Sequence, residues 1–297
     1  MDWLLFAFLS PAFWAMNNVI NKFLITKKFK GYSSMLIYLN FVDLIFAGAV
    51  FAFVPIDFIF PYCLFAMIIG LMPLLAFWFY SKSLMVEEVS RLAPLFQFIP
   101  IFVVFLSVMF LGELLSAQKY LGIALVVLTS ILISYKKSED GHSLSSAFKF
   151  MVPFTAIIAV YTVLNKFLLG YLDYWSVFFW MMIGSWLGVM VMLIFSKPRK
   201  AFVESVSHLG VRTFFITLAG EGSYILGTVF SLIATSLGFV SLVSALAGLQ
   251  QVFVFVYMLF LSFFIPKILK EDISKNSLFL KIFAIALMFV GTWLVTT

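Results

Sequence analysis

The feature that most constrains this chain is a recurrence of long apolar stretches, near 3–25, 33–54, 60–81, 91–112, 117–135, 148–169, 175–195, 213–235, 239–265 and 279–296. Each is long enough to cross the hydrocarbon core of a bilayer as a helix, which takes about 20 apolar residues. Only short connections fit between them. A water-soluble globule is excluded, because 11% of the residues are charged where soluble domains carry roughly 25%. A membrane β-barrel is excluded too, since the runs are about twice the length a tilted strand needs and lack period-two alternation. The spacing predicts an all-α polytopic membrane protein with ten transmembrane helices. The first stretch is expected to remain in the mature protein: it has no basic leader or small-residue cleavage site, and it contains Asn17, Asn18 and Asn21.

Charge sets the expected orientation. Sixteen of the nineteen basic residues fall in the connections after the odd-numbered stretches, from Lys27, Lys28 and Lys30 to Lys267, Lys270, Lys275 and Lys281, and the alternate connections are almost empty. By the positive-inside rule these basic loops are cytoplasmic, which places both termini outside a cytoplasmic (inner) membrane. Basic residues scattered through loops are not the patch that binds nucleic acid. The single cysteine, Cys63, lies in an apolar run, and His142 and His208 lie far apart in connections. An internal disulfide is therefore excluded, and no metal or cofactor is expected.

The chain also repeats itself. Asn21-Lys22-Phe23-Leu24 recurs as Asn165-Lys166-Phe167-Leu168, and Lys119 with Ile123-Ala124-Leu125 recurs as Lys281 with Ile285-Ala286-Leu287. Two five-helix units, 1–135 and 148–297, are expected, joined by a linker loop at 136–147. An odd number of crossings per unit inserts the second upside down, which is the inverted-repeat plan of many secondary transporters. With both halves in one chain, function as a monomer is expected, with membrane lipid and a small-molecule substrate as partners.

Pro94 to Glu113, ending Phe110-Leu111-Gly112-Glu113 and running into Gly122-Ile123-Ala124-Leu125, resembles the signature of the EamA-like family of the drug/metabolite transporter superfamily; Gly238 to Leu246 is a looser copy, with Glu271 near the corresponding acidic position. The resemblance covers essentially the whole chain. It implies ten helices in two inverted halves, a central cavity open to one side at a time, and transport without ATP hydrolysis. It does not name a substrate.

Polar residues inside the apolar stretches are the candidates for solute binding, because a polar group in the bilayer is costly unless it faces protein or water. Trp14, Asn17, Asn18 and Asn21 share a helical face, and the repeat places Tyr161, Thr162 and Asn165 in the positions equivalent to the three asparagines. Trp78, Gln97, Tyr224, Gln250 and Gln251 complete the substrate-binding candidates. Glu221, between Gly220 and Gly222 and in line with Thr217, Tyr224 and Thr228, is the candidate for proton coupling: a carboxyl at this depth has lost its hydration and can exchange a proton for a cationic or zwitterionic solute. Asp43, three residues after Asn40, is the second embedded acid. The bland alternatives are that the amides only join helices and that Glu221 is the partner of a buried lysine or an amide, with its flanking glycines allowing close helix packing.

The favoured reading is a secondary active transporter of a small polar or amphipathic metabolite, amino-acid-like or cationic, working by alternating access with proton coupling. Lys22 and Lys166 support an alternative. Their asparagine-lysine setting, with Phe13-Trp14 upstream, is similar to a first-helix motif in the sugar-phosphate and nucleotide-sugar branch of the superfamily, and two ammonium groups suit an exchanger of anionic or phosphorylated metabolites. Snorkelling to the interface is the structural reading of both lysines. A lipid translocator or a non-transporting receptor is the alternative of another class. An enzyme is not expected, for no embedded histidine or nucleophile-base pair is present. Glu113 reads as a cap at a span end, and Pro11, Pro73, Pro94, Pro100 and Pro153 as sites of helix bending.

Overall fold

A computed structural model describes residues 2–29, 31–83, 85–86, 92–134, 147–264 and 275–296. Among them every regular element is helical: α1 Asp2–Lys27, α2 Tyr32–Phe53, α3 Tyr62–Ser83, a 3-10 turn Ala93–Gln97 leading into α4 Phe98–Leu111, α5 Ala117–Ser134, α6 Phe148–Leu168, α7 Tyr174–Ile194, α8 Ser196–Val206, α9 Val211–Leu237, α10 Val240–Leu246, a 3-10 turn Ala247–Leu249, α11 Gln250–Phe264 and α12 Lys275–Thr296. The reason is the solvent: hydrocarbon offers no partner to an N–H or C=O, and a helix pairs them within itself. Among the described residues seven helices are long and apolar enough to cross a membrane, one of them Val240–Leu261, which runs through both α10 and α11. The stretches read at 91–112, 117–135 and 279–296 carry shorter apolar helices, Leu95–Leu111, Ala117–Leu132 and Phe283–Thr296. This is a polytopic membrane protein. Of the expected linker 136–147 only Ala147 lies among the described residues, and Glu271 lies outside them.

Two of the apolar stretches are interrupted, and a third element lies where only a loop was expected. Pro94 falls in the 3-10 turn before α4, and Pro100 falls in the first turn of α4, where the missing N–H would have had no intrahelical partner anyway. The second interruption, Ala247–Leu249, contains no proline. It carries Gly248 instead, whose carbonyl accepts from Ser130 Oγ at 3.3 Å and at which an added Cβ would lie 2.6 Å from that oxygen. The close crossing of α5 is what occupies this point. The basic segment after α7 is not loop but α8, which packs against α2, with Phe202 stacked on Phe41 at 5.6 Å and Ser205 Oγ donating to Ser34 Oγ at 3.1 Å.

Small residues set the closest helix pairs, because without a hydrophobic drive in lipid the helices associate through close backbone packing. α5 crosses α12 where Gly122 meets Gly291; a Cβ on Gly122 would sit 2.8 Å from the Gly291 carbonyl oxygen. α3 and α7 cross where Gly70 and Gly184 leave room for the Met181 and Met67 backbones. The most extensive contact is α1 against α9. There Gly220 receives Ile20 and Gly227 receives Trp14, seven residues apart on one face of α9.

Candidate functional site

The seam between α1 and α9 carries a buried polar network. Asn17 Nδ2 donates to the Gly220 carbonyl at 2.9 Å and to Glu221 Oε1 at 3.2 Å, and Asn21 Nδ2 donates to Asn17 Oδ1 at 2.8 Å. One turn further along, Trp14 Nε1 donates to Thr228 Oγ1 at 3.3 Å. The sequence places these groups together in two steps. Trp14, Asn17 and Asn21 follow the helical period on α1, and Gly220 lacks the Cβ that would meet Ile20 at 2.9 Å and hold α1 away from α9.

From α2, Asp43 comes up against Glu221, carboxyl to carboxyl. Asp43 is 8% exposed and Glu221 3%. Two carboxyls can hydrogen-bond to each other only when one of them carries a proton, which leaves the pair with a single negative charge. Among the described residues no lysine or arginine lies beside either acid; of the two structural partners read for Glu221, a buried lysine or an amide, the amide is present as Asn17. Tyr224 lies close to both acids and to Tyr161, and Tyr161 is hydrogen-bonded to Asn165. The two polar stripes read from the repeat are thereby brought toward one centre.

Some candidates take other places. Asn18 is exposed and outside the network, because α9 covers the flank of α1 that carries Trp14, Asn17 and Asn21. Asn40 does not share the partner of Asp43: its Oδ1 accepts from Ser185 Oγ of α7 at 2.7 Å. α2 lies between α7 and α9, and three residues of rotation separate the two contacts. Thr162 turns back to the Ile158 carbonyl at 2.8 Å. Gln97 is buried beside Gly248, and Gln250 and Gln251 are half-buried at the start of α11. Trp78 is 53% exposed, with Lys82 Nζ 5.6 Å above its ring, and is not part of the hydrogen-bonded cluster.

The lysines have separate fates. Lys22 is exposed near the end of α1. Lys166 Nζ donates to the Thr235 carbonyl at 2.7 Å and the Gly238 carbonyl at 2.8 Å, where α9 ends. Glu113 lies beside this cluster as the cap read from the sequence: Oε1 accepts from Val240 N at 2.8 Å, and Oε2 from Ser241 N at 3.1 Å and Ser241 Oγ at 2.6 Å. Gly112 makes the turn that aims it, with φ at 66° in the left-handed region that glycine tolerates. One acid and one base thus satisfy the open N–H groups of α10 and the open carbonyls of α9.

Sequence reasoning missed Tyr32 and Tyr80. Their rings lie 6.1 Å apart, edge to face, and Tyr32 is close enough to Glu221 to feel its charge. The signal was present: Tyr32 and Asp43 are eleven residues apart on α2, three helical turns on one face.

The fold and its buried acids define a helical membrane protein with a polar centre inside its span. Residues 1–135, the segment that contains Pro94 to Glu113, match the profile of the EamA-like transporter family. No curated protein matches the chain. Solved structures do, 29 chains in all. One, described as "Crystal structure of protein", superposes with a TM-score of 0.75 at 17% identity, over 99% of this chain and 96% of its own. That likeness shows the fold.

Proposed function

We propose that this chain is a secondary active transporter that moves a small polar or amphipathic solute, cationic or amino-acid-like, in exchange for protons by alternating access. The observation that carries the reading is the Glu221–Asp43 carboxyl pair, buried between α2 and α9 with no cationic side chain beside it among the described residues. An ionised carboxyl out of water costs several kcal/mol unless something compensates it. A proton is one compensation and a cationic solute is another, and two occupants that satisfy the same pair alternately are the elements of an exchanger.

Packing supports ten crossings in two inverted halves. α1 packs on α9 and on α11, and in equivalent positions α6 packs on α3 and on α4; α5 meets α12 as its own counterpart. Alternating access then takes place by one half rocking against the other. The anion-exchange reading is weakened by Lys166, whose ammonium is held by two carbonyls. The termini face outward and the monomer is the working unit. A cysteine at Thr296, in a Cys63→Ser background, is expected to react with an impermeant reagent from outside intact cells; labelling only after permeabilisation reverses the orientation.

The test of function is solute counterflow and proton flux in liposomes containing the purified protein. Uptake of an organic cation driven by a proton gradient, abolished by Glu221→Gln with the melting temperature retained, supports the proposal. Uptake unaffected by collapse of the gradient removes proton coupling.

A further inference from the structure

Six buried side-chain atoms lack a hydrogen-bond partner among the described residues, and two of them belong to the central network: Asn21 Oδ1, which can only accept, and Asp43 Oδ1, which accepts whenever Asp43 is ionised. The amide orientation of Asn21 is not arbitrary. The Gly220 carbonyl can only accept, so the nitrogen of Asn17 faces it; Asn17 then offers its oxygen to the next residue, so Asn21 must present nitrogen to Asn17 and keep its own oxygen free. The chain of amides has one polarity, fixed at one end by the backbone, and it delivers an unpaired acceptor at the other. Asn165 Oδ1, at the position that the repeat makes equivalent to Asn21, is unpaired in the same way. A buried acceptor without a donor costs about 1–3 kcal/mol; Asn21 is joined to the acids through Asn17, which donates to Glu221, and no cationic side chain stands beside the acids among the described residues.

We propose that the ligand of this centre carries a hydrogen-bond-donating ammonium, primary or secondary, whose N–H groups fill Asn21 Oδ1 and Asp43 Oδ1 while its charge takes the place of the proton that Glu221 and Asp43 share. This rests on the cation-exchange reading above and adds the chemistry of the head group. A quaternary ammonium has charge but no N–H, and would leave both oxygens unpaired. An anion would bring a further negative charge to a pair of buried acids and leave both oxygens unpaired. The tyrosines and Trp14 supply aromatic surface near the acids, which suits an apolar body behind the charged head. The exchange balances as one proton released for each ammonium bound.

The probes are phenethylamine, its N-methyl and N,N,N-trimethyl derivatives, methylammonium, tetramethylammonium and phenylpropanoate. Each is added at millimolar concentration to the purified full chain in detergent, with melting temperature and calorimetric affinity as readouts. The expected order is primary and secondary amines above their quaternary counterparts by at least about tenfold, near 1.4 kcal/mol, and phenylpropanoate without effect. Proton release into the buffer is expected on binding of the primary amine. Asn21→Leu should bring the primary and quaternary forms to within a few-fold of each other, and Asn21→Gln, which keeps an amide oxygen, should retain the preference. Quaternary forms binding as well as primary ones, or a preference that survives Asn21→Leu, overturns the head-group assignment and leaves the cation reading standing. Binding of phenylpropanoate alone, or of none of the amines by a protein that still melts cooperatively, overturns the cation reading and this inference with it.

Discussion

Glu113 and Glu221 are both buried acids, at 4% and 3% exposure, and their surroundings treat them in opposite ways. Glu113 accepts three hydrogen bonds from Val240 and Ser241, and Lys166 stands near it. Everything a buried carboxylate requires is supplied by the protein. Glu221 receives one amide of Asn17 and meets the carboxyl of Asp43, with no cation beside it and with unpaired acceptors in the same network among the described residues. A satisfied buried acid rigidifies a structure; an acid whose partners are incomplete has something left to bind. The first closes the junction of α9 and α10, and the second is the acid to which the proposed function assigns exchange.

Substitutions can break this contrast or sharpen it. The largest functional effect is expected for Glu221→Gln, with proton-driven uptake reduced to that of empty liposomes and a melting temperature little changed or raised. If Glu221→Gln unfolds the protein, the acid is structural and the contrast fails. The largest effect on stability is expected for Glu113→Ala, which leaves two N–H groups and one hydroxyl without their acceptor, a loss of about 3 kcal/mol, read as a lower melting temperature. Glu113→Gln should recover part of it.

Gly122→Val comes next. Its side chain enters the space of the Gly291 carbonyl, and overpacking of this kind costs about 1–3 kcal/mol. Lys166→Met is expected to cost about 1–2 kcal/mol by uncovering the Thr235 and Gly238 carbonyls, with cation uptake by the folded protein preserved. Loss of anion uptake in a stable Lys166→Met protein would return the exchanger of anions to first place. The smallest effect is expected for Trp14→Phe, which removes the 3.3 Å bond to Thr228, about 0.5–1.5 kcal/mol.

Much of this arrangement is legible in the chain. The apolar stretches gave the helical elements to within a few residues, because the length of a crossing is set by the bilayer. The stripe Trp14, Asn17 and Asn21 was readable from the helical period, and so was Glu113 as a cap, from its place directly after Gly112. Other parts were not. Asn18 fits the same period and lies outside the network, since the period fixes a face only to within the width that a neighbouring helix covers. The 3-10 turn at Ala247–Leu249 has no proline to announce it, and α8 is too short and polar to stand out from a basic loop.

The sequence by itself determined that this is a helical membrane protein, where its helices run, and that a few acids and amides lie at depths where bilayer physics makes them expensive. Those properties follow from local composition and from the thickness of the solvent. Tertiary structure alone decided which of these groups meet. Asn17 and Glu221 are 204 residues apart in the chain, and their contact depends on Gly220 and Gly227 letting α1 approach α9. Asp43 reaches the same point from α2. No periodicity carries that information, because it resides in the crossing of helices, and the crossing is what separates an acid held at rest from one left open to a ligand.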